Sequence, residues 1–458
     1  MDADVVVLKE SGPRLEFVNH ASVLVSNTSL GLLTDPWYFG RVFHEGWSLL
    51  TETTDAEIRD LLQRTDVIWI SHEHPDHFSP PFFKRYGELI RQRGIRFLFQ
   101  TTRDQRVAGF LRGQGFPVQE LDEDEVLALQ PGFTVQIVKN DLYDSALLIE
   151  VDGVRIFNLN DCLLSTDQAL ADFRTCHGAC DVLLTQFSYA AWKGGPDHPA
   201  WRKRAARSKL DVMRRQMEHL GASACIPFAS YVRFGHRLNA YMNDAVNHPG
   251  QVRDELASSG AEVVVMRPGE VQSLRRLRQD QESLAFWDQR YAEAAAAPLA
   301  EYPLMDGLDP LREAMSVYQS WVFRDNSRWL MRQARRWMKL QPFAPTRLWL
   351  LDLSLAVEVD PLLGRLDVVP PDDLDLAMHS RSLEFIFRFP FGFDTLFVNG
   401  CFEERRRGGF ERFAKCFVIG NLNAIGIHVG PGIIRHGGVL SLLLKKMRAV
   451  GENTAQPG

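Results

Sequence analysis

From residue 14 to about 275 the chain alternates short apolar runs with turn residues. The runs at 15–18, 21–25, 31–34, 67–70, 95–99, 135–138, 146–151, 154–159, 181–185, 224–227 and 262–266 are brief and mostly β-branched or aromatic, and they predict strands. Between them, 55–63, 80–92, 103–114 and 202–220 have helical spacing; the last sets Leu210, Met213, Met217 and Leu220 on one face with basic residues between them. Many strands with interspersed helices predict two sheets covered by helices, an αββα sandwich over residues 1–275. Residues 276–340 are rich in Arg, Gln, Ala and Trp and read as a helical connector, with Trp321, Trp329 and Trp337 forming a stripe expected to face a core or a neighbouring domain. Strands return at 348–355, 366–369 and 373–378, followed by helices at 382–389 and around Leu396, which predicts a small α+β domain over 341–458. The expected fold class is α+β.

Composition adds exclusions. A formal charge of −6 over 458 residues gives no electrostatic reason to expect a nucleic-acid or anionic-membrane partner. No apolar stretch approaches the roughly 20 residues that cross a bilayer. Met1-Asp2-Ala3-Asp4 lacks the basic start and apolar core of a signal peptide, so a cytoplasmic location is expected. The six cysteines are scattered, as in a reducing compartment. Cys176-His177-Gly178-Ala179-Cys180 lacks a second Cys/His pair and reads as packing.

The chemistry concentrates in residues 71–79, Ser-His-Glu-His-Pro-Asp-His-Phe-Ser, directly after the buried-strand run 67–70. A strand end followed by a short loop can hold His72, His74, Asp76 and His77 within reach of metal ions. Imidazole and carboxylate together suit zinc, iron or manganese rather than calcium or magnesium. Further ligands have to come from later strand ends. Asp161, after the run 154–160, is placed to bridge two ions, and His236 lies in a loop with Gly235. Arg233 beside Tyr231 is a candidate fork for an acidic substrate group. Trp37 sits in an aromatic loop with Tyr38, Phe43 and Trp47 that either lines the pocket or packs over the sandwich edge. Lys203, Arg204 and Arg207 read as a solvated basic face, and 405–407 as an exposed hairpin rather than a phosphate turn.

The His-x-His-x-Asp-His loop at 72–77 resembles the signature of the metallo-β-lactamase fold superfamily. Asn19-His20-Ala21-Ser22, Leu33-Thr34-Asp35-Pro36-Trp37, Gly46-Trp47, Ile226-Pro227-Phe228-Ala229 and Arg267-Pro268-Gly269 extend the likeness to the metal-binding portion of the CMP-N-acetylneuraminate hydroxylases. Asp352-Leu353-Ser354 and His379-Ser380-Arg381 are similar to that family's C-terminal region. The resemblance implies two divalent metal ions: His72 and His74 at one, Asp76 and His77 at the other, Asp161 bridging and His236 completing the second. It also implies an N-terminal Rieske domain, whose paired Cys-x-His ligands have no counterpart here, so electrons are expected from a separate protein. Where the superfamily usually has a third histidine, this chain has Lys139-Asn140-Asp141-Leu142-Tyr143-Asp144, and Asp141 or Asp144 is the candidate oxygen ligand. A carboxylate-enriched shell favours iron. The preferred expectation is therefore an O2-dependent monooxygenase acting on a sugar nucleotide or other N-acylated or anionic small molecule. The alternatives are a zinc or manganese hydrolase of phosphodiesterase or esterase/lactonase type, with Asp76 and Asp161 as catalytic carboxylates, and a ligand-binding module with a degenerate metal site.

Overall fold

The computed structural model describes residues 12–140, 143–337, 342–424 and 428. Two seven-stranded sheets are stacked face to face. The first runs in the order Glu270–Ser273, Arg14–Asn19, Ser22–Ser26, Gly31–Thr34, Val67–Trp69, Arg96–Gln100, Val118–Leu121. The second runs Glu262–Val263, Ala224–Phe228, Val182–Gln186, Val154–Asn160, Asp144–Val151, Phe133–Asn140, Val126–Gln130. Their inner faces share one core, with Phe17, Val23, Trp69, Ile137, Leu147, Ile156 and Leu184 fully or almost fully buried. Helices Asp55–Gln63 and Pro80–Arg93 cover the first sheet, and Pro199–Leu220 covers the second. The local chemistry explains their limits. Thr54 and Glu57 close a capping box at one start, and Gly94 and Gly221 end two helices in the left-handed region.

Central strands of both sheets are parallel, so loops that carry polar residues leave from the same ends. Val67–Trp69 lies between Gly31–Thr34 and Arg96–Gln100, buried throughout, and delivers the 71–77 loop. Across the sandwich, a register shift between Asn158 and Asn160 re-aims the end of its strand, and Asn160 takes φ +50°.

A second sheet system follows: Arg365–Val368, Leu355–Asp360, Thr346–Leu350, Leu376–Met378, Phe402–Glu404, packed by helices Asp309–Arg324, Ser380–Arg388 and Gly409–Ala424. The expected strand at 348–355 is in fact the corner of a hairpin. Residues 351–354 turn, with Ser354 at φ +51°, and Asp352 accepts hydrogen bonds from the Ser380 backbone and hydroxyl. Of the connector helices, Gln281–Ala296 packs Trp287 into the sandwich core, whereas Asp309–Arg324 joins the C-terminal one. Trp321 is packed while Trp329 is 66% exposed, so these two do not share one buried face; the Trp337 side chain lies outside the described residues. The turn at 405–407 connects a strand to a helix rather than forming a hairpin, and Arg406 is bound to buried Asp375. Among the described residues no helix is long and apolar enough to cross a membrane.

Candidate metal centre

Two groups of donors converge between the sandwich sheets. His20, Asp76 and His77, all buried, each offer one ligand atom within 4.8 Å of the others; His72, His74 and Asp161 do the same. The groups are adjacent: the His72 and His77 rings are 4.2 Å apart, and Asp161 Oδ1 is 3.6 Å from His77 Nε2. The donors fit metal ions. Asp76 Oδ1, His77 Nε2 and His20 Nδ1 are buried with no hydrogen-bond partner, an arrangement that costs free energy unless something else coordinates them.

Asp35 organises the cluster from behind. Its carboxylate accepts from the Ser71 backbone at 2.8 Å, the Ser71 hydroxyl at 2.7 Å and Asn160 Nδ2 at 2.6 Å, and it lies 3.0 Å from His77 Nδ1. Held at Nδ1, the His77 ring is oriented with Nε2 toward Asp76 and Asp161. His20 occupies the tight turn between the first two strands at φ +23°, with its backbone carbonyl accepting from Ala229 N–H. Burial opposes charge on His77, but the neighbouring Asp76 and Asp161 carboxylates outweigh it and hold the ring well above the ordinary histidine range. Burial drives His72 the other way, reinforced by His77 and His74.

The C-terminal unit packs beside the donor groups. Asp394, on helix Gly392–Asn399, lies 3.3 Å from His74 Nε2. Phe391 stacks under Arg106, which also reaches Glu73 and the Ala424 carbonyl. Burial opposes a charge on His74, yet the Asp394 hydrogen bond and the surrounding carboxylates bring it up to about 9; burial raises Glu73 to about 7 against the pull of Arg106.

The structure brings His72, His74, Asp76, His77 and Asp161 together, and it places Asp144 Oδ1 3.9 Å from His72 Nε2. Asp141 lies outside the described residues. Trp37 is buried with its ring edge-on to His20 at 5.5 Å. Three expectations need correction. His236 joins neither donor group; it stacks on Tyr302 at 4.0 Å, in an interface cluster with His44 and His379. Arg233 is not free to fork a substrate, because its guanidinium donates to the Ala294, Ala297 and Pro298 carbonyls and to Ser48, tying down the end of helix Gln281–Ala296. Tyr231 is fully buried and stacks on Trp287. His20 and Asp394 were not singled out as site residues from sequence. A lone histidine in a two-strand turn and a lone aspartate late in the chain carry no spacing signal.

The interface histidines give a pH expectation. Burial, then His236, lowers His44 to about 4; burial, then His379 and Arg41, lowers His236 to about 4. The facing charged groups also include Glu384, Arg381 and Glu301. The unfolded chain takes up protons near 6.5 while the folded chain does not, so stability is full above that pH and falls as pH drops from 6.5 toward 4. The expected loss is up to about 3 kcal/mol for such a histidine. Urea midpoints of the metal-stripped protein at pH 7.5 and 4.5 check this: His44→Phe, which retains the stack on Tyr302 and Phe385, should show a smaller drop than wild type.

Residues 14–189 match the family model described as a beta-lactamase superfamily domain. Those residues, which form much of the two-sheet sandwich, are thus similar to a β-lactamase superfamily domain. Among curated proteins it resembles cytidine monophosphate-N-acetylneuraminic acid hydroxylase: that of Danio rerio is 23% identical over 56% of this chain and 44% of its own length. The Mus musculus protein is 24% identical over 58% of this chain and 48% of its own. The chain thus spans about half the length of these curated relatives. Among solved structures, the diiron β-hydroxylase CmlA from Streptomyces venezuelae superposes with a TM-score of 0.41 at 18% identity, covering 57% of this chain and 54% of that one.

Proposed function

We propose that the chain is a dinuclear-metal hydroxylase that uses O2 to oxidise an anionic small molecule of the sugar-nucleotide type, drawing electrons from a separate protein. The observation that carries the reading is the carboxylate weighting around the second donor group. Asp161 stands with His72 and His74, and Asp144 Oδ1 is 3.9 Å from His72 Nε2. Oxygen donors in that proportion favour iron over zinc. The names of the curated relatives support the substrate class.

In this reading His20, Asp76 and His77 would hold one ion and His72, His74 and Asp161 the other. Bound there, a redox-active metal pair supplies oxygen activation, and the protein supplies position and a dry site. The balance is substrate C–H plus O2, two electrons and two protons, giving C–OH and water, so a two-electron donor has to dock. Asp35 keeps His77 oriented, Trp37 packs behind His20, and helix Gly392–Asn399 sets Asp394 beside His74, whose side chain stays 36% exposed. Sandwich, connector and C-terminal unit, divided near 275 and 340, act as one enzyme in this proposal.

Metal per chain, measured after expression with iron and zinc supplied, is expected to give about two irons, with a near-ultraviolet band that changes on reduction and returns with O2. Two zincs and no redox response would move the reading to a hydrolase, to be screened on phosphodiesters and esters.

A further inference from the structure

We infer that Lys193 and Lys209 form an anion-binding site beside the metal centre, which takes the phosphate or carboxylate of the substrate. The inference deepens the proposed function and rests on the site described for it. Lys209, midway along helix Pro199–Leu220, donates from Nζ to Gln186 Oε1 at 2.6 Å, and Gln186 donates from Nε2 to Asp161 Oδ1 at 2.6 Å. Its ammonium is thus two hydrogen bonds from a metal-centre carboxylate. Lys193 lies 5.8 Å from the centroid of the Phe397 ring. Phe397 is three residues beyond Asp394 on helix Gly392–Asn399, hence on the same face, and Asp394 touches His74. One helix face therefore reaches the donor group with one side chain and Lys193 with another.

Neither lysine forms an ion pair with a carboxylate among the described residues, although both are half-buried. Burial, then the neighbouring Lys209, brings Lys193 down to about 8; burial lowers Lys209, with Asp161 acting against it. The Lys209 charge acts on Lys193, and an ammonium held near a second one is unfavourable without an anion to offset it. The backbone fixes Lys193 in place. Ala191 and Gly194 take φ +67° and +84°, Trp192 N–H donates to the Phe397 carbonyl at 2.9 Å, and a Cβ at Gly194 would meet His198 and Trp201 under 3 Å. Left-handed backbone at a non-glycine residue is tolerated where the surroundings impose it, as at binding sites.

The test is calorimetric titration of the metal-loaded full chain with inorganic phosphate, CMP, N-acetylneuraminate and, as the uncharged control, cytidine. CMP or N-acetylneuraminate is expected to bind more tightly than cytidine, the preferred one revealing whether phosphate or carboxylate is recognised. Lys193→Gln and Lys209→Gln should each weaken that binding about tenfold or more and lessen its salt dependence. Metal content should stay at the wild-type level in Lys193→Gln, which separates a lost anion contact from a damaged centre. Unchanged affinity in both variants, cytidine binding as well as CMP, or no binding of any anion would overturn the inference. A chain loaded with zinc that still shows lysine-dependent anion binding would remove the hydroxylase reading and leave this site standing.

Discussion

His20→Ala is expected to lose close to one metal ion per chain, while His236→Ala keeps its metal. The contrast is decisive because spacing and family resemblance point to His236, whereas the folded chain puts His20 Nε2 3.4 Å from Asp76 Oδ2 and stacks His236 on Tyr302. Loss of a direct ligand should exceed the 10–100-fold in affinity typical of an outer hydrogen-bond partner. Metal per chain by elemental analysis after dialysis against a weak chelator decides it. Retention in His20→Ala with loss in His236→Ala would restore the sequence-based assignment and require the loop at 235–239 to move.

Asp35→Ala should be the most damaging single change outside the ligands. The carboxylate is 1% exposed and serves Ser71, Asn160 and His77 together. Its removal strands several buried polar groups at once, a class of change that costs about 3–5 kcal/mol. Asp35→Asn is the sharper probe, because it nearly preserves shape. An amide nitrogen facing His77 Nδ1 would favour a proton on Nε2, the atom needed as a donor, so metal affinity should fall 10–100-fold with a smaller loss of stability. Denaturant midpoints and metal titrations on both variants separate the two effects. Equal metal affinity in Asp35→Asn and wild type would mean that Asp35 is only a structural anchor.

The sandwich was legible because its central strands are buried on both faces, so runs such as 67–70 appear as continuous apolar segments. The 72–77 loop was legible because several ligands share one strand end. Edge and enclosed elements were not. Val126–Gln130 is an edge strand whose first residue is 63% exposed, so it lacks the expected alternation, and Gly409–Ala424 blurs its stripe by placing small and polar residues such as Gly420, Asn421 and Asn423 among the buried ones. His20 becomes part of the site only through strand pairing and a bulge between Phe17 and Asn19, and Asp394 only through docking of the C-terminal helices. Arg233 was misread because the carbonyls it satisfies lie at the end of a helix some sixty residues later.

The shared core of the two units sets an order in time. Trp37, Phe43, Trp47, Leu49 and Trp192 are buried in one cluster with side chains from Met305 to Leu422. A chain leaving the ribosome can close its sandwich well before those later residues exist. At about 5–20 residues per second, the covering helices arrive on the order of ten seconds afterwards. During that interval an apolar face is bare and the histidine loop stands open to solvent, which is when ions have the freest access. Arrival of Asp394 and its helix ends the interval, so a later-made part of the chain determines when access to the metal centre narrows.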